Sequence, residues 1–388
     1  MRNLWVLLAL GLMRVSAIHS QELIFRVNTG AYRIIERSNW SRYDNGRYIG
    51  HVYRETRAAL QPLSEDKDTL IYQGNFYVLE ETLRDMQQSA RAVNDIIPVR
   101  FTIDPTGSLF VAEDNGYPQL RGFPSFPAGA VLPGSKWTAE GLRIVDPLNE
   151  GFSVEVPFLA EYEYRGTEVY KGFPVYRVSA RYACRYQAPF SEAGYFISLT
   201  GTHQVEILLK VSDGLPLLIM DNLDETFTWV GGKTVRFRGF TQTFGEASVP
   251  LTTAELTLPV DWEKRNNIEL APVPGGIKMT VKDIRFVPDS AEFLPGEYGR
   301  LDIIAEALRN MTDRNFLVEG HTASIGQAAE EMELSILRAR RMIDELVRRG
   351  IGADRFIYKG WGGTQPLGDN STEEGRALNR RVEITILE

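Results

Sequence analysis

The chain has 388 residues, long enough for two or three domains, and its 43% hydrophobic and 24% charged content exclude wholesale disorder. A net charge of −8 excludes the basic footprint that a nucleic-acid-binding surface needs. A single cysteine, Cys184, excludes an intrachain disulfide, and its expected role is that of a small buried hydrophobe.

Residues 1–20 read as a secretion signal. Arg2 supplies the positive start, Leu4 to Met13 is an apolar run too short to span a bilayer, and Val15-Ser16-Ala17 offers small residues at cleavage-site spacing. No later segment has the length and apolarity of a transmembrane helix.

Residues 21–262 read as a β-rich domain, an antiparallel meander or open barrel with one helix. Gln73 to Leu79 has strand composition. Leu79 to Asn94 carries Leu83, Met86 and Ala90 at helical spacing and is predicted to be the helix. Val99–Ile103 and Ser108–Ala112 flank a turn at Asp104-Pro105-Thr106-Gly107. The proline- and glycine-rich stretch at 116–134 predicts a loop or sub-boundary near 116–135.

Beyond it, strand signals recur at short intervals. Phe152–Val156 alternates, and Tyr162–Tyr164 precedes an expected turn at Arg165-Gly166. Hairpin chemistry recurs at Asp213-Gly214 and at Gly231-Gly232-Lys233. The clearest strand is Val175–Tyr186. Tyr176, Val178, Ala180, Tyr182, Cys184 and Tyr186 fall on one face, and Arg177, Arg181 and Arg185 on the other. The arginines predict a solvated face that blocks edge pairing, in preference to an anion track inside a barrel.

Residues 263–278 are polar, then rich in proline and glycine, and read as a linker. From 279 to 388 the rhythm changes to β-α-β-α-β-loop-β. Met279–Phe286 is a strand, and Pro295-Gly296-Glu297 opens a helix with Leu301, Ile304, Ala305 and Leu308 on one face. A strand at Phe316–Glu319 leads to a long helix carrying Met332, Ile336, Ala339, Ile343 and Leu346, with Gly350 as its cap. Arg355–Lys359 and Val382–Ile386 are the last strands. The expectation is an α+β sandwich with helices on one face.

Particular residues in this region carry a resemblance. They are Phe286-x-Pro288-Asp289-Ser290-Ala291, Gly320-His321-Thr322, Gly326, Leu334-Ser335-x-x-Arg338-Ala339, Gly350-Ile351, Gly360-x-Gly362, Pro366, Asn370 and Asn379-Arg380-Arg381-Val382-Glu383-Ile384. The C-terminal domain, 279–388, thereby resembles the OmpA-like domain, a peptidoglycan-associating module; the N-terminal region resembles no family we can name. The resemblance implies a ligand loop at Thr322 and Ala323. An aspartate would meet the ammonium of a diamino acid, and an arginine would meet its carboxylate. The arginine maps to Arg338, but the aspartate maps to Ala323, and a family asparagine maps to Glu331.

A zwitterion is read by two opposite charges at fixed separation. Loss of one charged hydrogen bond predicts binding weakened by roughly 10- to 150-fold. Glu330, Glu331 and Glu333 could replace the missing charge, though a solvated helix start is the plainer expectation. His321 and Asp289 are expected to be structural, and Arg380 and Arg381 to pair with acids near the Asn370 loop.

Scattered histidines and the absence of a metal-spacing motif argue against an enzyme, a metal site or a cofactor. The reading is an exported, periplasmic, outer-membrane-associated binding protein with weak or lost peptidoglycan binding. Its other expected partner is an outer-membrane or periplasmic protein. Two alternatives remain: a transmembrane β-barrel over 21–262, or a periplasmic carrier whose open barrel holds a lipid or envelope partner against Tyr176, Tyr182 and Tyr186.

Overall fold

The computed structural model describes residues 22–25, 28–63, 70–79, 90–148, 153–189, 196–247, 262–288, 290–311 and 314–387. The signal segment, Asp289 and most of the helix expected at Leu79–Asn94 lie outside these residues.

The first part of the chain alternates strands with tight turns and forms one long antiparallel sheet. Its strands are β1 (Tyr32–Asp44), β2 (Arg47–Pro62), β3 (Leu70–Leu79), β4 (Arg91–Ile103), β5 (Leu109–Val111), β6 (Leu120–Arg121), β7 (Lys136–Val145), β8 (Val154–Tyr170), β9 (Phe173–Gln187), β10 (Ser198–Lys210), β11 (Pro216–Thr228) and β12 (Thr234–Ala247). The order is β5-β4-β3-β2-β1-β12-β11-β10-β9-β8-β7-β6. Trp40 of β1 and Val52 of β2 share a core cluster with Val156, Phe158 and Tyr182 of β8 and β9. Strands remote in the order therefore meet across the interior, and the sheet curls into an open barrel.

Two expectations are corrected here. Residues 91–94, read as the end of a helix, begin β4, where Val93 is buried against Leu79. Arg165-Gly166 is not a turn. The strand runs on to Tyr170, and the pairing register shifts between Tyr164 and Gly166, where Gly166 takes a φ of 110° that a side chain would resist. The faces of β9 fall as alternation demands: Tyr176, Val178, Ala180, Tyr182 and Cys184 are buried. Arg177 pairs outward with Glu206 and Glu168, and Arg181 with Glu161.

The C-terminal part comprises α1 (Trp262–Asn266), β13 (Ile268–Val273), β14 (Gly276–Val281), α2 (Tyr298–Arg309), β15 (Asn315–Gly320), α3 (Ala328–Arg348), β16 (Phe356–Gly360), α4 (Glu373–Asn379) and β17 (Val382–Leu387). Its sheet runs β13-β14-β17-β15-β16, with β15 and β16 parallel. The segment read as a linker is corrected: 268–281 is a hairpin. Pro272 fits because β13 is an edge strand, which can spare an N–H.

Alternation sorts the sheet residues to two faces. Phe316, Val318, Phe356, Ile384 and Ile386 pack under α2 and α3 with Leu301, Ile304, Met342 and Leu346. Leu317, Ile357 and Leu387 point the other way and pack on Tyr77, Leu79 and Val93 of the barrel. At that edge, Ile357 and Tyr358 of β16 pair in parallel with Arg91 and Ala92, so β4 belongs to both sheets.

Candidate functional site

Helix α3 lies unusually close to β15 and β16. A Cβ at Gly320 would fall 2.1 Å from the Ser335 carbonyl oxygen, and one at Gly360 would fall 2.4 Å from Ser335 Oγ. The Ser335 hydroxyl donates to Met332 O at 2.7 Å and accepts from the Gly362 amide at 2.9 Å. Glycines at two strand ends and a serine on the helix thus bring the 321–327 loop down onto the first turn of α3.

That loop is held from three sides. Thr322 N donates to Gly362 O at 2.9 Å. Ser324 N donates to Asn370 Oδ1 at 3.1 Å, and Asn370 is steadied by Asn379 Nδ2 at 2.8 Å. Glu331 Oε1 accepts the amides of Ile325 and Gly326, both at 2.7 Å. Glu331 is therefore neither solvated nor a spare charge: it is buried and satisfies two loop donors. Glu330 and Glu333 are exposed, as expected. Replacing Glu331 with Ala should cost the C-terminal domain about 2 kcal/mol, with Gln costing less than half of that. Urea unfolding would read the loss, and faster amide exchange at Ile325 and Gly326 would locate it.

Of the positions implied by the resemblance, Thr322 and Ala323 lie in this loop and Glu331 bonds to it, whereas Arg338 lies further along α3. Ala323 is 4% exposed, so its methyl group is packed rather than presented, and Thr322 is buried beside it. Arg338 is also buried. Its Nε donates to Ser290 O at 3.2 Å, and its guanidinium lies 4.5 Å over the Phe286 ring. Arg380 pairs with Glu373 at 2.7 Å, beyond the Asn370 loop, as expected. Arg381 instead pairs with its neighbour Glu383 at 2.7 Å and donates to Gln365 O.

His321 is buried, and neither ring nitrogen has a hydrogen-bond partner. Burial, helped by the positive Arg381, pushes its pKa from 6.5 down to about 3. Above its ordinary value the ring is neutral in the folded and the unfolded chain alike, so its titration does not affect stability. As pH falls below it, the unfolded chain takes up a proton that the folded domain refuses, so stability falls toward pH 3. Between pH 7.5 and 5 the wild type should lose about 2 kcal/mol more than His321→Leu. Glu319, whose carboxyl is pushed up by burial, works in the opposite direction, so the difference between the proteins is the readout.

The arrangement is that of a small α+β module whose loop after β15 is pinned between the start of α3 and the segment after β16. Residues 285–380 match the model of the OmpA family, and this C-terminal part of the chain is an OmpA family domain. The N-terminal region matches no family. The chain is 37% identical over 116 residues to outer membrane porin F of Pseudomonas fluorescens, covering 30% of this chain and 35% of that protein. It is 37% identical over 103 residues to the peptidoglycan-binding protein ArfA of Mycobacterium tuberculosis, covering 26% of this chain and 32% of that one. The match thus spans about a third of the length of these curated relatives. Among solved structures, the cell wall anchor of the T6SS from Pseudomonas aeruginosa is 30% identical, with a TM-score of 0.31, covering 35% of this chain and 96% of that one.

A second constellation lies inside the barrel. A cavity of about 310 Å3 is bounded by β1–β5 and by β7, β9, β11 and β12. Of the three tyrosines proposed to line it, Tyr182 does. Tyr176 is buried against Tyr164, and Tyr186 packs on Phe196. Behind Tyr182, whose ring stacks on it at 4.1 Å, His203 places Nδ1 2.8 Å from Asp221 Oδ2 and Nε2 3.2 Å from Glu225 Oε1. Arg143 forms an ion pair with Glu225 and comes within 3.0 Å of His203 Nε2. Gly201 makes room: a Cβ there would lie 2.8 Å from Glu225 Cγ. Burial works against a charged imidazole, but hydrogen bonds to Asp221, Cys184 and Glu225 overcome it and push His203 up to about 10. Burial likewise opposes the Glu225 carboxylate, yet Arg143 and His203 hold its pKa below the ordinary value.

Cys184, His203 and Asp221 have the order of a nucleophile, base and acid. Cys184, however, is 0% exposed, and an imidazole already protonated at neutral pH takes no proton from a thiol. Cys184, His203 and Glu225 also place ligand atoms within 4.8 Å of one another. The Arg143 guanidinium fills the place a metal cation would take. The sequence did hold a signal for these residues. His203 and Glu225 sit at inward positions of their strands, Glu225 between Leu223 and Phe227, where alternation calls for apolar side chains.

Proposed function

We propose that this protein is an exported, periplasmic, outer-membrane-associated structural component that approaches the cell wall through its OmpA family domain, with weak or lost binding to diaminopimelate peptidoglycan. One observation carries the reading. Ala323, a packed methyl group, occupies the position that the resemblance assigns to the ammonium-binding carboxylate, and the Glu331 carboxylate is committed to loop amides. The relative named as a peptidoglycan-binding protein supports wall association as the setting. Buried thiol and imidazolium chemistry supports a role without catalysis.

The outward ion pairs of β8 and β9, Arg181 with Glu161 and Arg165 with Glu163, support a barrel that stands outside the bilayer, because hydrocarbon penalises such charges. No helix among the described residues is long and apolar enough to cross a membrane.

The test is co-sedimentation of purified protein with diaminopimelate-type sacculi. Little wild-type protein should pellet. Ala323→Asp should bind roughly 10- to 150-fold more tightly. Strong pelleting of the wild type refutes the reading.

A further inference from the structure

We propose that the barrel cavity is a binding site for one uncharged amphipath, an acyl chain with a hydroxyl- or amide-bearing head. The volume of about 310 Å3 lies at the lower end of small-molecule sites. One end, between β2 and β5, is apolar and aromatic, with Leu60, Tyr72, Phe101, Ile103 and Leu109. The other end gathers Glu36, Arg54, Arg143, Asp221 and Glu225 around Trp40. An apolar body and a polar head fit this division.

The polar end selects against charge. Arg143 is paired with Glu225, and Asp221 with His203. A cationic head would lie against Arg54 and Arg143, and an anionic one against Glu36, Asp221 and Glu225. Among the described residues that line the cavity, one donor and one acceptor are buried with no hydrogen-bond partner, Trp40 Nε1 and Asp221 Oδ1. Such groups are costly to bury unless something satisfies them.

Register places the two on the same face of the sheet, diagonally across β12. Ser38, Thr241 and Asp221 form one cross-strand row, and Trp40, Gly239 and Leu223 form the row two residues along the same face. The rows are about 7 Å apart along the strands, and β1 and β11 are about 10 Å apart across β12, so the two residues stand diagonally to each other. At Gly239 β12 packs close to β1, since a Cβ there would fall 2.1 Å from the Asn39 carbonyl oxygen. A hydroxyl or amide head can accept from the indole N–H and donate to the carboxylate.

The experiment uses the full chain, with displacement of the fluorescent probe 1-N-phenylnaphthylamine and native mass spectrometry for stoichiometry. The competitors are decanoylglycerol, decanoate and decylamine below their micelle thresholds. We expect one decanoylglycerol per chain, bound about tenfold more tightly than either charged analogue. Trp40→Phe should weaken decanoylglycerol by about three- to tenfold. Thr243→Phe, which fills the cavity, should abolish uptake. Absence of saturable uptake by the wild type overturns the site, and tighter binding of decanoate or decylamine overturns the uncharged head. Full binding by a Thr243→Phe protein with wild-type melting places the ligand elsewhere and overturns the assignment. Should that variant not fold, the wild-type selectivity and Trp40→Phe still decide.

Discussion

Glu225→Ala lowers the stability of the barrel by about 3–5 kcal/mol, the cost of breaking a buried ion pair from one side. The size follows from what stays behind. Arg143 loses its ion-pair partner, and His203 loses one of its two carboxylates, with His203 fully buried and Arg143 mostly so. Glu225→Gln, which keeps an acceptor near the guanidinium, should cost less. Removing Arg143 and Glu225 together, as the Leu-Leu variant, should cost well below the sum of the two single changes, because no lone charge remains. Urea unfolding reports the barrel through Trp40, Trp137 and Trp229, whereas Trp361 lies in the C-terminal domain. The expected result is a shift confined to the barrel transition. Equal and additive losses across the cycle would show that the network is merely packed, not coupled.

Gly320→Ala should cost the OmpA family domain about 3 kcal/mol or more, at the upper end of overpacking effects. The added methyl would meet backbone, the Ser335 carbonyl at 2.1 Å, and backbone cannot rotate aside. Either α3 lifts from β15, separating Ala339 and Ile343 from Phe316 and Val318, or the strand bends and disturbs its pairing with β16. Both routes also move the Ser335 hydroxyl that fixes Gly362. The measurement is the urea midpoint of the C-terminal transition. A variant within 1 kcal/mol of wild type would mean that α3 is free to slide. Gly296→Ala, where a Cβ meets nothing within 4 Å, is the matched control.

Much of the C-terminal domain was legible because its signals are local. Helical spacing in Leu301, Ile304, Ala305 and Leu308 places them under one roof, and all four are buried. Gly350, with a φ of 91°, ends α3 where a cap was expected. α4 was missed because it is a short run of seven residues inside a loop rich in glycine and asparagine, with Thr372 as its cap. The hairpin at 268–281 was misread because Pro274, Gly275 and Gly276 carry the composition of a linker and that of a tight turn alike. Only the pairing of β14 with β17 tells them apart.

In the barrel, β9 could be read from alternation alone, whereas 91–94 could not. That segment owes its strand form to partners on both sides, β3 and β16, supplied from distant parts of the chain. The candidate site was legible by position and not by state. Ala323 lies in the loop and Arg338 on α3 as the alignment of motifs implies, but the burial of both, and the engagement of Glu331 by two amides, depend on how closely glycines let α3 descend. The polar core of the barrel needs four strands to assemble, and no short window of sequence contains it.

Strand β4 makes the joint between the two halves of the molecule a load-bearing seam of unequal strength. Toward β3 it is laced along most of its length, but toward β16 its ladder pairs among the described residues are at Arg91 and Ala92, joined by Lys359 Nζ donating to Asn94 O and by the patch of Leu317, Ile357 and Leu387. Tension on the C-terminal half therefore parts the short tie while the barrel stays knitted. What parting uncovers is a greasy strip on each side, so that a chain pulled open in this way would become adhesive to its neighbours.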